Sequence, residues 1–139
     1  MLITVDDRSI SFAGHRFVYG SYYFDDEEYK DLRPAAIMAK ILEQWRQALI
    51  ANPGDGRTFF LPFELDDECV ESIQATSEGE MLALRYVWVN ENGHSLIASD
   101  LSSFIVSTHG IQRDLGEIGK YKRDEFLAAL SNPEIQTSN

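Results

Sequence analysis

Alternating apolar and polar residues at the start of the chain predict short β-strands. Ile10 and Phe12 alternate with serines, and after Gly14 an extended run at residues 16–19 ends at Gly20. A period of two residues, interrupted by glycine and by aspartate pairs, is typical of antiparallel strands joined by tight turns. We therefore expect a small antiparallel meander in residues 1–20.

A longer stretch at residues 34–51 has the periodicity of an amphipathic helix, which we expect to cover one face of a sheet. Pro34 suits the first helical position, because the N–H that proline lacks would have no intrahelical partner there. The sequence Asn52-Pro53-Gly54 ends the helix. The apolar residues that share one stripe are Ile37, Ile41, Leu42, Trp45, Ala48 and Leu49.

Strand patterns return after this helix. Residues 58–65, 70–76 and 81–89 are candidate strands, and the last has apolar side chains on both faces, which indicates a central position in a sheet. Pro62 has no N–H to offer a neighbouring strand, so it belongs at an edge, a bulge or a strand end. Asn92-Gly93 has the residues of a tight hairpin turn and predicts a further strand at 94–98.

Two short helices are predicted in the last part of the chain, one beginning at Leu101 and one at residues 123–130, while residues 110–119 predict no definite element. Strands, one long helix, further strands and then helices are the order of an α+β fold. We expect a mainly antiparallel sheet of about five to seven strands, covered by the helix at 34–51. Residues 1–133 would form a single domain, followed by a frayed tail at 134–139.

Composition narrows the classes of function. A chain of 139 residues with 44% apolar residues can form one core without a metal or a disulfide. A net charge of −11 argues against binding a nucleic-acid backbone or an anionic membrane, since both need a cationic surface. One cysteine, no evident signal peptide and no long apolar run predict a cytoplasmic protein with no membrane segment.

Nine of the eleven net negative charges lie in two short segments. The first acidic segment, residues 25–31, has a net charge of −4, and the second acidic segment, residues 64–71, has a net charge of −5. Clustered carboxylates repel one another, so a protein that keeps them together often uses them. The acidic residues are Asp25, Asp26, Glu27, Glu28 and Asp31 in the first segment and Glu64, Asp66, Asp67, Glu68 and Glu71 in the second.

Motifs for catalysis or for cofactor binding are missing from the sequence. The three histidines and Cys69 have no zinc-ligand spacing, and a calcium loop that began at Asp25 would have Lys30 where it needs glycine. Carboxylates next to Cys69 disfavour its thiolate, and no serine lies in a nucleophile elbow. We therefore predict no catalytic residue, no metal and no cofactor.

Tyrosines accompany the first acidic segment and suggest a surface that binds a protein. Tyr22, Tyr23 and Tyr29 would supply contact area at low entropic cost, while the carboxylates of both segments would steer a cationic partner. The tyrosines could equally be half-buried at the edge of a sheet. Tyrosine and acid together suit an inhibitor of a basic protein.

The string at residues 60–69, Phe-Leu-Pro-Phe-Glu-Leu-Asp-Asp-Glu-Cys, resembles a motif of small acidic bacterial proteins encoded beside polymorphic or contact-dependent toxins. In those proteins a hairpin and then a Ser-Asp pair follow, here Ser99-Asp100. The resemblance covers about residues 60–100. It implies an immunity protein that binds a toxin and has no catalytic residue.

Two other functions are compatible with the sequence. The chain could be a structural or oligomer-forming domain whose acids only keep it in solution. It could also be a small ligand-binding domain or enzyme with a pocket between helix and sheet. Neither the oligomeric state nor the identity of a partner can be read from these residues.

Overall fold

A computed structural model describes residues 1–20 and 27–136 of the chain. The described residues form eight strands and three helices, and the predicted α+β class with mostly antiparallel pairing is confirmed. The strands are β1 (Thr4–Val5), β2 (Ser9–Phe12), β3 (His15–Val18), β4 (Thr58–Leu65), β5 (Val70–Glu78), β6 (Met81–Val89), β7 (Ile111–Lys122) and β8 (Glu134–Ile135). The helices are α1 (Pro34–Ala51), α2 (Ser102–Val106) and α3 (Arg123–Ser131).

The strands form two sheets, where one was expected. The first has the order β3-β2-β1-β8, and the second has the order β4-β5-β6-β7. Strands β1 and β8 pair in parallel, whereas all other pairs are antiparallel. Residues 134–135, expected to belong to a frayed tail, therefore form an edge strand, with the Glu134 N–H donating to the Ile3 carbonyl at 2.8 Å.

Helix α1 has the predicted bounds, but the expectation that one long helix covers the sheet is not matched. Its 18 residues contact β1 and β8 of the first sheet, β4 of the second, and both other helices. The indole N–H of Trp45 donates to the Pro62 carbonyl at 2.9 Å, so a core residue of α1 also holds the edge strand β4. Helix α1 thus contacts both sheets and both of the other helices.

Aromatic side chains join the two sheets. The ring of Phe17 on β3 lies 5.6 Å from that of Phe63 on β4 and 5.5 Å, edge-on, from that of Tyr86 on β6. Phe12 on β2 extends this cluster to Phe126 of α3, at 5.9 Å. Contacts of this kind add about 0.5–1.5 kcal/mol each beyond the area that they bury. The small first sheet is therefore fastened to the large one through its edge strand.

Strand β7 explains why residues 110–119 have no readable period. Its register against β6 shifts at three places, so one extra residue recurs along the strand and the apolar alternation is lost. Gly116 and Gly119 have φ values of 116° and 150°, which side chains disfavour. The bulges also protect this exposed edge from pairing with another chain.

The Asn92-Gly93 pair does not make the predicted hairpin, and residues 94–98 do not form a strand. Gly93–Ser95 is a 3-10 turn, and the Gly93 N–H donates to the Asp66 carbonyl at 2.6 Å. A Cβ on Gly93 would lie 2.5 Å from that oxygen, which no side chain tolerates. Glycine is required here because two backbones touch, and the contact supports the second acidic segment.

Gly93→Ala is therefore expected to destabilise the protein by at least about 2 kcal/mol, since the clash is with backbone that cannot turn aside. Urea unfolding measures the change. Gly110→Ala is the matched control, because a Cβ at Gly110 meets nothing within 4 Å, and its expected effect is within about 0.5 kcal/mol. Equal effects of the two substitutions would contradict a role for the contact.

Candidate functional site

The first acidic segment is described only in part. Tyr22, Tyr23, Asp25 and Asp26 lie outside the described residues. Three of the predicted partner-binding residues, Glu27, Glu28 and Asp31, are exposed, and Glu27 pairs with Lys30 at 2.7 Å. Tyr29 is only 6% exposed and belongs to the core, so its predicted role as a surface anchor is wrong.

The second acidic segment spans the end of β4, a tight turn and the start of β5. Glu64 and Glu71 are partners in the β4–β5 register, so their backbones lie directly opposite each other. In the turn, the Asp66 N–H donates to the Cys69 carbonyl at 3.1 Å, and the Asp66 side chain accepts the Asp67 N–H at 2.6 Å. Asp67 and Glu68 are exposed. This turn and the paired glutamates define the candidate site.

Glu64 is the most unusual residue of the site, because its carboxylate is buried without a cation. Glu64 is 9% exposed. Its Oε2 atom accepts a hydrogen bond from the Gly20 N–H, and its Oε1 atom has no hydrogen-bond partner in the described part of the chain. Burial raises the pKa of Glu64 to about 7, and repulsion from Glu71 and Asp66 adds to this against the opposing effect of the Gly20 N–H. The carboxyl group of Glu64 therefore titrates near neutral pH.

Tyr86 and Trp88 form a chain of hydrogen bonds that ends at Glu71, one of the paired glutamates. The Tyr86 hydroxyl donates to Glu71 Oε1, and the Trp88 indole N–H donates to the Tyr86 hydroxyl at 3.2 Å. Burial and the bond to Glu71 raise the pKa of Tyr86 to about 12, so it stays a donor. The guanidinium of Arg113 lies over the Trp88 ring at 5.2 Å from its centroid, a cation–π contact.

Carboxylates of the second acidic segment take part in none of the described ion pairs, whereas six acids elsewhere in the described residues do. Asp7 pairs with Arg33, Glu43 with Arg46 and Asp114 with Arg85 at 2.6–2.8 Å, while Glu78 and Glu91 pair with Lys120 and His109 at 3.0 and 3.2 Å. None of the described ion pairs uses a carboxylate of residues 64–71. Hydrogen bonds with Asp67 and Glu68, and then an electrostatic interaction with His94, lower the pKa of Asp66. Within the described residues, the negative charge of this segment is therefore not neutralised by ion pairs.

Cys69 is buried beside these carboxylates and is a poor nucleophile. Burial, followed by repulsion from Glu71 and Asp66, raises the pKa of its thiol to about 11. Within the described residues, no group of three or more His, Cys, Asp or Glu side chains could hold a metal ion. His109 has a structural setting, because it stacks on Phe104 at 4.1 Å and Nε2 lies 2.8 Å from the Phe104 carbonyl.

Surface grooves in the described part of the molecule include two that are not lined by residues of the candidate site. A groove of about 520 Å³ lies between α1 and α2, lined by amides and hydroxyls that include Gln47, Asn52 and Ser103. A smaller groove of about 300 Å³ crosses the second sheet at Gln74 and Arg85. Among the described residues, no helix has both the length and the apolar character needed to cross a bilayer.

The sequence missed three parts of the site. Gly20, Tyr86 and Trp88 come from elements far from the second acidic segment in the chain, and no local spacing links them to Glu64 or Glu71. The alternation of 81–89 predicts that both aromatics lie on one face of the strand, but only the strand pairing shows that Glu71 shares that face. No family model matches this chain, and no curated protein or solved structure shows significant similarity to it.

The raised pKa of Glu64 predicts that stability falls as pH rises. The folded state holds a proton on Glu64 that the unfolded state releases near its ordinary pKa of 4.5, so stability decreases between pH 4.5 and about 7. The decrease from this group is on the order of 3 kcal/mol. Urea unfolding at pH 5 and pH 8 should show that Glu64→Gln removes this component. Glu68→Gln, which removes an exposed charge nearby, should keep it; identical slopes in both variants would assign the titration to another group.

The Cys69 thiol is expected to react slowly in the native protein. A pKa of about 11 against an ordinary 9.0 leaves far less thiolate at pH 8, so labelling by a disulfide reagent should be about 100-fold slower than in urea. Stopped-flow absorbance measures both rates. Native labelling as fast as unfolded labelling would show that the thiol is accessible and activated.

Proposed function

We propose that this protein is a non-catalytic, cytoplasmic binding domain of the immunity type, which docks on a basic partner protein such as a toxin. The observation that supports this most is the uncompensated charge of the second acidic segment. Six acids elsewhere in the described residues make ion pairs within the chain, whereas none of the five carboxylates of this segment takes part in a described ion pair.

Electrostatics explains why a cluster of carboxylates without ion pairs favours a basic partner protein. Like charges held in one turn raise the energy of the folded protein, and a cationic surface would relieve that repulsion on binding. Asp67 and Glu68 are exposed and free to meet such a surface. Exposed charges of this kind mainly accelerate association, because they act over roughly a Debye length, about 8–10 Å at physiological salt.

Half-buried aromatics beside the carboxylates support a protein partner over a small ion. Tyr86 and Trp88 are partly exposed and are held in place by hydrogen bonds, which lowers the entropy that they would lose on binding. Rigid tyrosine and tryptophan side chains are enriched among the residues that carry binding energy. Aromatic side chains next to the carboxylate of Glu71 are suited to a basic protein surface.

A ligand-binding domain is the second candidate, favoured by the groove between α1 and α2. Its volume of about 520 Å³ is in the range of small-molecule sites, and its amides and hydroxyls could hold a neutral polar ligand. The carboxylate with the raised pKa, which an acid–base enzyme would need, is Glu64, and Glu64 does not line this groove.

Co-purification with the product of the neighbouring gene tests the first proposal. The double variant Asp67→Asn, Glu68→Gln should weaken binding about three- to tenfold at low salt, and the difference should shrink at high salt as the charges are screened. Titration calorimetry at two salt concentrations measures both effects.

The matched control is Glu80→Gln with Glu134→Gln, which removes the same two charges at exposed positions. Glu80 lies at the far end of the β5–β6 hairpin, and Glu134 lies on the other sheet. This control should bind within about twofold of the unmodified protein. Equal weakening by both double variants, or affinity that does not respond to salt, would overturn the proposal.

A further inference from the structure

We propose that the hydrogen bond from the Gly20 N–H to the Glu64 carboxyl group is a pH-sensitive clasp between the two sheets. The clasp holds the residue that follows β3 against β4 while Glu64 is protonated, and it opens more readily once Glu64 is ionised. It requires no partner protein, so its test is independent of the proposed function.

The clasp lies where distant parts of the chain meet. Gly20 follows β3 of the first sheet, and Glu64 belongs to β4 of the second, so their hydrogen bond joins the two sheets. Phe17 and Phe63 lie beside the two residues in the chain, and their rings are 5.6 Å apart. The aromatic contact contains no titratable group, whereas the clasp does. A change of pH therefore acts on the clasp and leaves the aromatic contact in place.

Burial favours the neutral form of the Glu64 carboxyl group. Glu64 is 9% exposed, and its Oε1 atom is buried with no hydrogen-bond partner in the described part of the chain. A carboxylate that is withdrawn from water without a cation or a full set of donors is costly, and a neutral carboxyl group is much less so. Glu64 takes part in none of the described ion pairs.

Two neighbouring carboxylates also disfavour the ionised form of Glu64. Glu71 lies opposite it in the β4–β5 register, and Asp66 follows it in the turn. Burial, and then repulsion from Glu71 and Asp66, raise the pKa of Glu64 to about 7 against the opposing effect of the Gly20 N–H. Its proton is therefore lost within the range in which the folded protein can be studied.

Tyr86 and Cys69 lie close to these carboxylates but keep their protons near neutral pH. The Tyr86 hydroxyl donates to Glu71, and burial raises the pKa of Tyr86 to about 12. Burial also raises the pKa of the Cys69 thiol to about 11. Neither group can account for a change between pH 6 and pH 8.

Two histidines lie near the clasp and have to be separated from it. His94 of the 3-10 turn stabilises the ionised form of Asp66, and the ring of His15 on β3 stacks on that of Phe17. Histidine side chains commonly change charge between pH 5 and pH 8. The test therefore needs a variant that changes Glu64 and leaves both histidines in place.

Opening of the clasp allows water to reach the carboxylate, so ionisation should favour the open form. In the open form the pKa of Glu64 returns toward its ordinary 4.5, whereas it is about 7 in the closed form. The closed form is therefore most stable at low pH and loses stability as the pH rises through about 7. Between pH 6 and pH 8, the ratio of open to closed molecules should rise about tenfold.

Hydrogen exchange at the Gly20 amide measures this opening in the full-length protein. Its protection factor, which is corrected for the intrinsic effect of pH on exchange, should fall about tenfold between pH 6 and pH 8. Low concentrations of urea distinguish local opening from global unfolding. Protection at Gly20 should hardly respond to urea, whereas protection at Ile73, in the interior strand β5, should decrease.

Glu64→Gln is the decisive variant, because glutamine offers an acceptor to the Gly20 N–H and does not titrate. Its protection factor at Gly20 should differ by less than about twofold between pH 6 and pH 8. Glu68→Gln is the matched control, since it removes an exposed carboxylate from the same segment and should keep the tenfold change. A tenfold change that persists in Glu64→Gln would assign the effect to a histidine and overturn the clasp.

A titration of the unmodified protein by nuclear magnetic resonance does not depend on how well a variant folds. The carbon-13 resonance of the Glu64 carboxyl group and the amide proton of Gly20 should titrate together, with a shared midpoint near pH 7. A Glu64 midpoint below pH 5, equal protection of Gly20 at pH 6 and pH 8, or equal urea dependence at Gly20 and Ile73 would each overturn the proposal.

Discussion

Aromatic packing between the two sheets is the constraint on which the candidate site depends. Phe17 lies against Phe63 and Tyr86, which fastens the edge strand of the small sheet to the face of the large one. Three residues later, Gly20 reaches the carboxylate of Glu64. The same Tyr86 ring that packs on Phe17 presents its hydroxyl to Glu71. The aromatic contacts therefore position the two groups, the Gly20 N–H and the Tyr86 hydroxyl, that hold the side chains of the paired glutamates.

The candidate site combines carboxylates whose repulsion and burial lower the stability of the fold with hydrogen bonds that hold those carboxylates in place. Glu64 and Glu71 are opposite each other in the β4–β5 register and take part in none of the described ion pairs, and Glu64 is buried with a raised pKa. Three contacts oppose this destabilisation. They are the hydrogen bonds from the Gly20 N–H and the Tyr86 hydroxyl to the two glutamates, and the close contact of Gly93 with the Asp66 backbone. A protein that keeps an unfavourable charge cluster in a rigid setting is prepared for a partner that neutralises it. This is the physical basis of the proposed function.

Local sequence signals predicted much of the fold. The bounds of α1 follow from Pro34 and from the Asn52-Pro53-Gly54 stop, both of which act within a few residues. The β5–β6 hairpin and the central position of β6 follow from its two apolar faces. Pro62 lies on an edge strand next to a bulge, as its missing N–H requires. Strand β7 could not be predicted, because three register shifts remove the period that identifies a strand.

By itself, the sequence determined the α+β class, the long helix and the concentration of charge, since helix stops, residue periods and charges are local properties. Only the tertiary structure decided that there are two sheets, that Gly93 serves a backbone contact and not a hairpin, and that Tyr29 is core. It also divided the second acidic segment into different environments, with Glu64 buried and Asp67 exposed. The reason is that burial and partnership depend on which distant strands pair, and no spacing along the chain contains that information.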